Sequence, residues 1–337
     1  MYRSILSEWR GFATRTKKGT VDMTFGTLLD RYIDSLTLGT TQEEYRKIQR
    51  RFFHATAWND RPASEVTRYD LLLLRQELES TPAYANKVIG LPKQAYYWGS
   101  NTIDETEKRP VYEGNNPALH LKRYSCPSRE TLLDLTQLKR LLDNLDFLSV
   151  KYQVFLLLRI LVPGRITELC AIKWSDLDLV VGKWTKLNTK NGRIHVVPLP
   201  TQALAALRRM PNTSGYVFTG AYGRPLRPGS ARKIWGRFRA DLKMPDIWLL
   251  DFRRTLASYL YTVIKADDLL VKAMLNHYDS RPCAVYTRLS FDYLAPIIQG
   301  YADWVCRLSP ILTQQGHDHD RVLTERGPAT GARPISV

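Results

Sequence analysis

Leu187-Asn188-Thr189-Lys190-Asn191-Gly192-Arg193-Ile194-His195-Val196-Val197-Pro198-Leu199 interrupts a chain whose other patterns are helical. Asn-Gly is the strongest two-residue hairpin signal, because both residues tolerate the positive φ that the turn demands. A turn at Asn191-Gly192 pairs Lys190 with Arg193, Thr189 with Ile194, Asn188 with His195 and Leu187 with Val196. One face then carries Lys190, Arg193, Asn188 and His195. The other carries Thr189, Ile194, Leu187 and Val196, and is the face expected to pack on a core. Residues 181–199 therefore read as a hairpin, and the chain as mainly α with a small β-hairpin or sheet.

Outward from the hairpin the period changes to that of helices. Tyr152 to Leu161 reads as a buried helix, broken by Pro163-Gly164, and a new helix opens around Arg165 with Ile166, Leu169, Cys170 and Ile172 as its apolar residues. Further helices are expected near Gln202–Arg208, Pro228–Leu242, Asp251–Lys265 and Leu269–Leu275, then one carrying Tyr286, and last Phe291–Leu308. With a start at Thr131–Leu142 they make one mixed α+β domain, 131–308. Upstream, Thr24–Leu36, Thr41–Phe53, Thr67–Leu78 and Ala83–Trp98, the last disturbed by Pro92, make a small helical domain, 21–107. Residues 108–130, with Pro110, Gly114, Pro117 and Pro127, have the composition of a linker. Residues 1–20 read as a basic flexible tail and 309–337 as a polar, disordered one.

The chain has 337 residues, 44% of them hydrophobic, enough to bury two cores. Its 49 Lys and Arg against 33 Asp and Glu leave a formal charge of +16. A globular protein this basic usually meets a polyanion, and double-stranded DNA is the first candidate. A membrane partner is not expected: the most apolar run, Tyr152 to Val162, is too short to span a bilayer and contains Arg159. The N-terminus shows no apolar core followed by a cleavage site, so a cytoplasmic location is expected. Cys126, Cys170, Cys283 and Cys306 form no C-x-x-C pair and have no histidine at ligand spacing, so no metal site is expected. Arg46, Lys47, Arg50 and Arg51 gather on one side of the second helix, as either a solvated face or a DNA contact, and Arg193 adds a cation to the hairpin tip.

Several residues suit chemistry on a phosphodiester. Arg165 stands at a helix start, where free N–H groups and the dipole favour anions, and its planar fork matches phosphate oxygens. Lys190, at a hairpin end, can reach a leaving oxygen and protonate it. Arg253 and Arg254 flank the apolar face Phe252, Leu256, Tyr259 and Leu260, so one of them can point into a cleft. Tyr286 lies nine residues after His277 and would act as nucleophile, with the arginines supplying the positive charge its phenol needs. Each has an ordinary alternative: Arg165 paired with Glu168, Lys190 solvated in its turn, an arginine bridged to Asp251, Tyr286 packed in a core.

The order of these residues resembles the tyrosine recombinases, the phage-integrase family. Gly164-Arg165-Ile166-Thr167-Glu168-Leu169 and its continuation Ile172-Lys173-Trp174-Ser175-Asp176-Leu177-Asp178 are similar to the family's first arginine box. Lys190, eight residues before Pro198, resembles the hairpin lysine, and Asp251-Phe252-Arg253-Arg254-Thr255 the second arginine box. Leu275-Asn276-His277 resembles the Leu-Gly-His element, and Tyr286 falls where the nucleophile belongs. The likeness covers 130–300, and more loosely 21–105, which resembles the family's core-binding domain.

The resemblance implies a site-specific recombinase or integrase that serves a mobile element without a cofactor. In it Tyr286 attacks the scissile phosphate, giving a 3′-phosphotyrosyl link and a free 5′-hydroxyl. Arg165, Arg253 and His277 hold the phosphate, and Lys190 protonates the leaving oxygen. It also implies a homotetramer on two DNA duplexes, with the two domains clamping DNA and with the need for accessory DNA-bending proteins left open. Phe291–Leu308 would then dock on a neighbouring subunit or pack on its own domain. Two positions depart from the family pattern. Leu250 stands where a histidine is usual, which leaves the general base unassigned, and Asn276 replaces a common glycine. A catalytically weakened DNA-binding relative and a type IB topoisomerase-like enzyme are therefore the alternatives.

Overall fold

The computed structural model describes residues 23–37, 39–54, 58–187, 194–277 and 291–309. Lys190, Arg193, Tyr286, Cys283 and, except for Ser309, both expected tails lie outside the described residues. The chain divides into two compact units between Arg129 and Glu130.

The first unit is helical. In α1, Phe25–Asp34, the spacing of Phe25, Leu28, Leu29, Tyr32 and Ile33 buries one stripe, and the Thr24 hydroxyl accepts from the Thr27 N–H at 3.2 Å. α2, Gly39–Ile48, runs into a π-helical turn at Gln49–His54 that buries Phe52 and Phe53. α3, Arg68–Glu77, begins with a reciprocal cap: the Asp70 N–H donates to the Thr67 hydroxyl at 3.2 Å, and the Thr67 N–H donates to the Asp70 carboxylate at 2.8 Å. α4, Pro82–Asn101, continues through Pro92, the residue expected to disturb it; Pro92, Leu91, Ala95 and Tyr96 are all buried, so tertiary packing holds the helix together.

The expected linker is largely packed instead. Ile103–Asp104 (β1) pairs antiparallel with Arg109–Pro110 (β2), and Tyr112, Ala118 and Leu121 enter the first core. Asn86 ties down Tyr124, donating to its carbonyl at 2.9 Å and accepting from its N–H at 2.8 Å. Proline and glycine content announces a segment without regular elements, and such a segment can still bury its apolar residues.

The second unit is built around α6, Val150–Leu161, whose residues from Gln153 to Leu161 are all buried. Against it pack α7 (Ile166–Cys170), α8 (Thr201–Arg208), α10 (Asp251–Thr262) and α12 (Phe291–Cys306). α5 (Leu135–Asp143), α9 (Pro228–Asp241) and α11 (Asp268–Met274) complete the helices described. α12 turns Leu294, Ile298, Tyr301 and Val305 into its own unit, against the strand His195–Pro198 and α6, and Gln299 accepts from the Thr201 N–H at 2.9 Å. In the single chain it lies on its own domain, one of its two expected placements.

The hairpin sits in a three-stranded antiparallel sheet, β3 (Leu177–Asp178), β4 (Lys183–Lys186) and β5 (His195–Pro198), in that order. Its register differs from the expected one. Lys186 pairs with His195, Thr185 with Val196 and Trp184 with Val197, so Asn188–His195 and Leu187–Val196 are not partners. The buried face is also the opposite one. Trp184, Lys186 and Val197 are buried, while Leu187 and Ile194 lie exposed. Trp184 and Val197 stand opposite each other, and burying that pair outweighs burying Val196 and Ile194; once they point inward, the period of two carries Lys186 and His195 with them.

Candidate active site

The Pro163-Gly164 break ends α6 and sets Arg165 at the entry of α7, in extended conformation. Glu168, one turn on, accepts from the Arg165 backbone N–H at 2.8 Å and from its guanidinium, also at 2.8 Å. The alternative expected for Arg165, a pair with Glu168, is therefore present, but Glu168 is shared. Oε2, which takes the backbone N–H, also accepts from Lys186 Nζ at 2.9 Å, reached from β4. Burial alone would push the Glu168 carboxyl up; the Lys186 charge and the bonds from Arg165 outweigh it and hold the group down at about 2. Burial pulls the Lys186 ammonium down to about 8, against the opposing pull of Glu168.

Arg253 comes from the first turn of α10 and points inward, while Arg254 takes the surface bridge to Asp251 at 3.0 Å. Asp251 is fully buried and also accepts from the Trp248 N–H at 2.8 Å, which fixes the start of the helix. The Arg253 guanidinium donates to the Pro163 carbonyl at 2.9 Å and to the Leu275 carbonyl. A second guanidinium lies beside it. Arg159, on α6 and 1% exposed, donates to the carbonyls of Gly164 and Leu249. Two arginines thus clamp four carbonyls next to the expected site residues: Gly164 precedes Arg165, Leu249 precedes Leu250, and Leu275 lies two before His277. Burial lowers both guanidinium groups to about 10, Arg159 helped by the charge of Arg253 and Arg253 by that of Arg165.

His277 follows α11 through a Schellman turn: its N–H donates to the Lys272 carbonyl at 3.0 Å, and the Asn276 N–H to Ala273 at 3.0 Å. Asn276 holds the left-handed position, φ +49°, which explains how asparagine serves where glycine is common. His277 is exposed, and its basicity is lowered by partial burial and by the charges of Arg253, Arg165 and Lys272. Arg165, Arg253 and His277, far apart in sequence, therefore share one electrostatic neighbourhood. Leu250, the position without the expected histidine, opens α10 with its side chain 57% exposed.

Three residues of this neighbourhood have no role in the sequence reading. Arg159 counted only against a membrane span, and Lys186 went unremarked. His195, expected on a solvated face, bonds through Nε2 to the Ala273 carbonyl at 2.9 Å; burial and the Lys186 charge lower its pKa to about 4. The strand parity of Lys186 with Trp184 was the available signal, since a lysine on an inward face needs a carboxylate. Of the basic residues on and after α2, Arg46 is turned onto Asp30 and Asp34, while Lys47, Arg50 and Arg51 are exposed. Among the described residues no cluster of metal-ligating side chains occurs, and no helix is long and apolar enough to cross a membrane.

A helical unit with a three-stranded sheet, in which two arginine boxes and a histidine converge, has the fold of integrase catalytic domains. Residues 131–292, within the second unit, match the phage integrase family. Tyrosine recombinase XerC of Xylella fastidiosa (strain M23) is 34% identical over 147 residues, 40% of this chain and 47% of that protein. The chain thus spans about half the length of the curated relatives it matches. A solved lambda integrase dimer, residues 75–356, bound to a COC′ core site superposes with a TM-score of 0.61 at 17% identity, covering 76% of this chain and 96% of that one. A lambda integrase tetramer bound to a Holliday junction gives a TM-score of 0.60 at 16% identity, covering 77% and 79%.

Proposed function

We propose that this protein is a site-specific DNA recombinase or integrase that cuts and rejoins DNA through a phosphotyrosyl intermediate, serving integration or excision of a mobile element. The observation that supports the reading is the shared electrostatic neighbourhood of Arg165, Arg253 and His277, with Glu168 beside the two arginines. In the proposed reaction the Tyr286 oxygen attacks the scissile phosphorus and the bond to the 5′ oxygen breaks. Lys190 gives that oxygen a proton. A 5′-hydroxyl from a partner strand attacks the phosphotyrosine in the reverse sense, so the bond energy is kept and neither nucleotide nor metal is called for. The two arginines stabilise the phosphorane; losing one such donor costs about 10²–10³ in rate. The partner is double-stranded DNA, and the assembly is a homotetramer on two duplexes in the cytoplasm; the solved lambda integrase tetramer bound to a Holliday junction supports the tetrameric state. Lys47, Arg50, Arg51 and Arg193 contribute phosphate contacts.

A nicked suicide duplex carrying the cognate site tests this, with covalent adduct as the readout. Tyr286→Phe should abolish the adduct while leaving DNA affinity within about threefold, since the phenol oxygen adds little to backbone binding. Cleavage that persists in this variant rules out the nucleophile. The exposed Leu250 favours a second reading, a DNA-binding relative of low activity; binding without any adduct from the unmodified protein would establish it.

A further inference from the structure

Glu168 serves two cations at once. Arg165 Nη1 donates to one carboxylate oxygen at 2.8 Å and Lys186 Nζ to the other at 2.9 Å. The side chains are 27%, 10% and 4% exposed for Arg165, Glu168 and Lys186, so the order from solvent inward is arginine, carboxylate, lysine. Lys186 is held 4.3 Å over the Trp184 ring of its own strand. The ionisable groups whose charges meet it are Glu168 and Arg165 at α7, Arg253 on α10 and His195 on β5.

With Arg165 as its only cation, Glu168 would cancel the guanidinium, and a phosphate would compete with a full negative charge for the same donors. With an ammonium beneath the carboxylate the three groups sum to +1, and the unbalanced charge belongs to the member that solvent reaches. We propose that Lys186 is a positioning residue that neutralises Glu168 from inside and so leaves the Arg165 guanidinium free to turn to a phosphate. This role rests on the strand-cleavage reading above and is separate from that of Lys190. Because burial already draws the ammonium down to about 8, loss of its proton in mildly alkaline buffer should return Glu168 to Arg165 and slow cleavage.

The test uses the full chain and the suicide duplex at pH 7 to 9. Lys186→Met should slow adduct formation by about tenfold, short of outright loss of an arginine donor, and flatten the alkaline decline. The double variant Lys186→Met/Glu168→Gln, which has no carboxylate left to neutralise, should recover to within about threefold of the unmodified rate, because the two sites are directly coupled. A purely structural lysine would not be rescued by a second substitution. An unchanged rate in Lys186→Met, or a double variant as slow as the single, overturns the proposal. If Lys186→Met does not fold, as circular dichroism would show, the double variant decides alone: near-normal cleavage supports the role and a tenfold loss removes it. If the unmodified chain forms no Tyr286-dependent adduct, the strand-cleavage reading has failed instead. The triad is then judged by affinity for inorganic phosphate, which Lys186→Met must weaken and the double variant restore.

Discussion

Replacing Arg159 by methionine separates the geometry of the site from the stability of the fold. The guanidinium is buried and donates to two carbonyls, Gly164 and Leu249. Hydrogen bonds to a charged group are worth about 1.5–3 kcal/mol each, so removing both costs about 3–6 kcal/mol. Against this stands the expense of burying the cation. Its pKa falls well below the ordinary guanidinium value, to about 10. That difference, about 2.5 units at 1.36 kcal/mol each, corresponds to about 3 kcal/mol recovered when the charge is removed. Because the folded pKa is depressed, the cost is present in full below pH 10 and fades as pH rises above it. Methionine fills most of the space, so the net loss should be only about 0–3 kcal/mol, in line with the near-neutral replacement of buried ions by apolar groups. Cleavage should suffer far more. Gly164 and Leu249 carry Arg165 and the start of α10, and a shift of about 1 Å in a catalytic group can cost 10²-fold. Urea unfolding of the variant and its single-turnover adduct rate at pH 7 give the two numbers. A folded Arg159→Met variant that cleaves at the unmodified rate would refute the clamp.

Acid should expose His195. Its folded pKa, about 4, lies below the unfolded 6.5, so it contributes stability above pH 6.5 that is lost as pH falls through 4. The 2.5-unit gap sets an upper limit of about 3 kcal/mol, and His195→Gln should shrink that acid-induced loss in a denaturation series between pH 4 and 7. On α2 and the turn after it, the four cations should divide. Lys47→Ala, Arg50→Ala and Arg51→Ala should each lower the salt dependence of DNA binding by about 0.9 log units per log unit of salt for every phosphate contact removed. Arg46→Ala, whose partners are Asp30 and Asp34, should leave that slope unchanged and lower thermal stability instead.

Much of the scaffold was legible from local signals. Thr24 and Thr67 announce helix starts because their hydroxyls can accept orphan N–H groups, and the structure uses both. Pro163-Gly164 had to end a helix, and Arg165 had to follow it, since both consequences lie within one turn of the chain. The order of the arginine boxes, His277 and Tyr286 is likewise a property of the sequence, and the family resemblance follows from it. Tertiary structure decided what depends on the path between distant segments. Which strand face turned inward could not be read from alternation alone, because both faces of the hairpin offered apolar residues; Trp184 opposite Val197 settled it and carried Lys186 to Glu168, eighteen residues away. Arg159 reads as an ordinary charged residue on an apolar helix until the fold brings Leu249, ninety residues on, within reach of its guanidinium. Periodicity reports which side of an element is apolar; only the folded chain determines which carbonyl or carboxylate a buried cation will meet there.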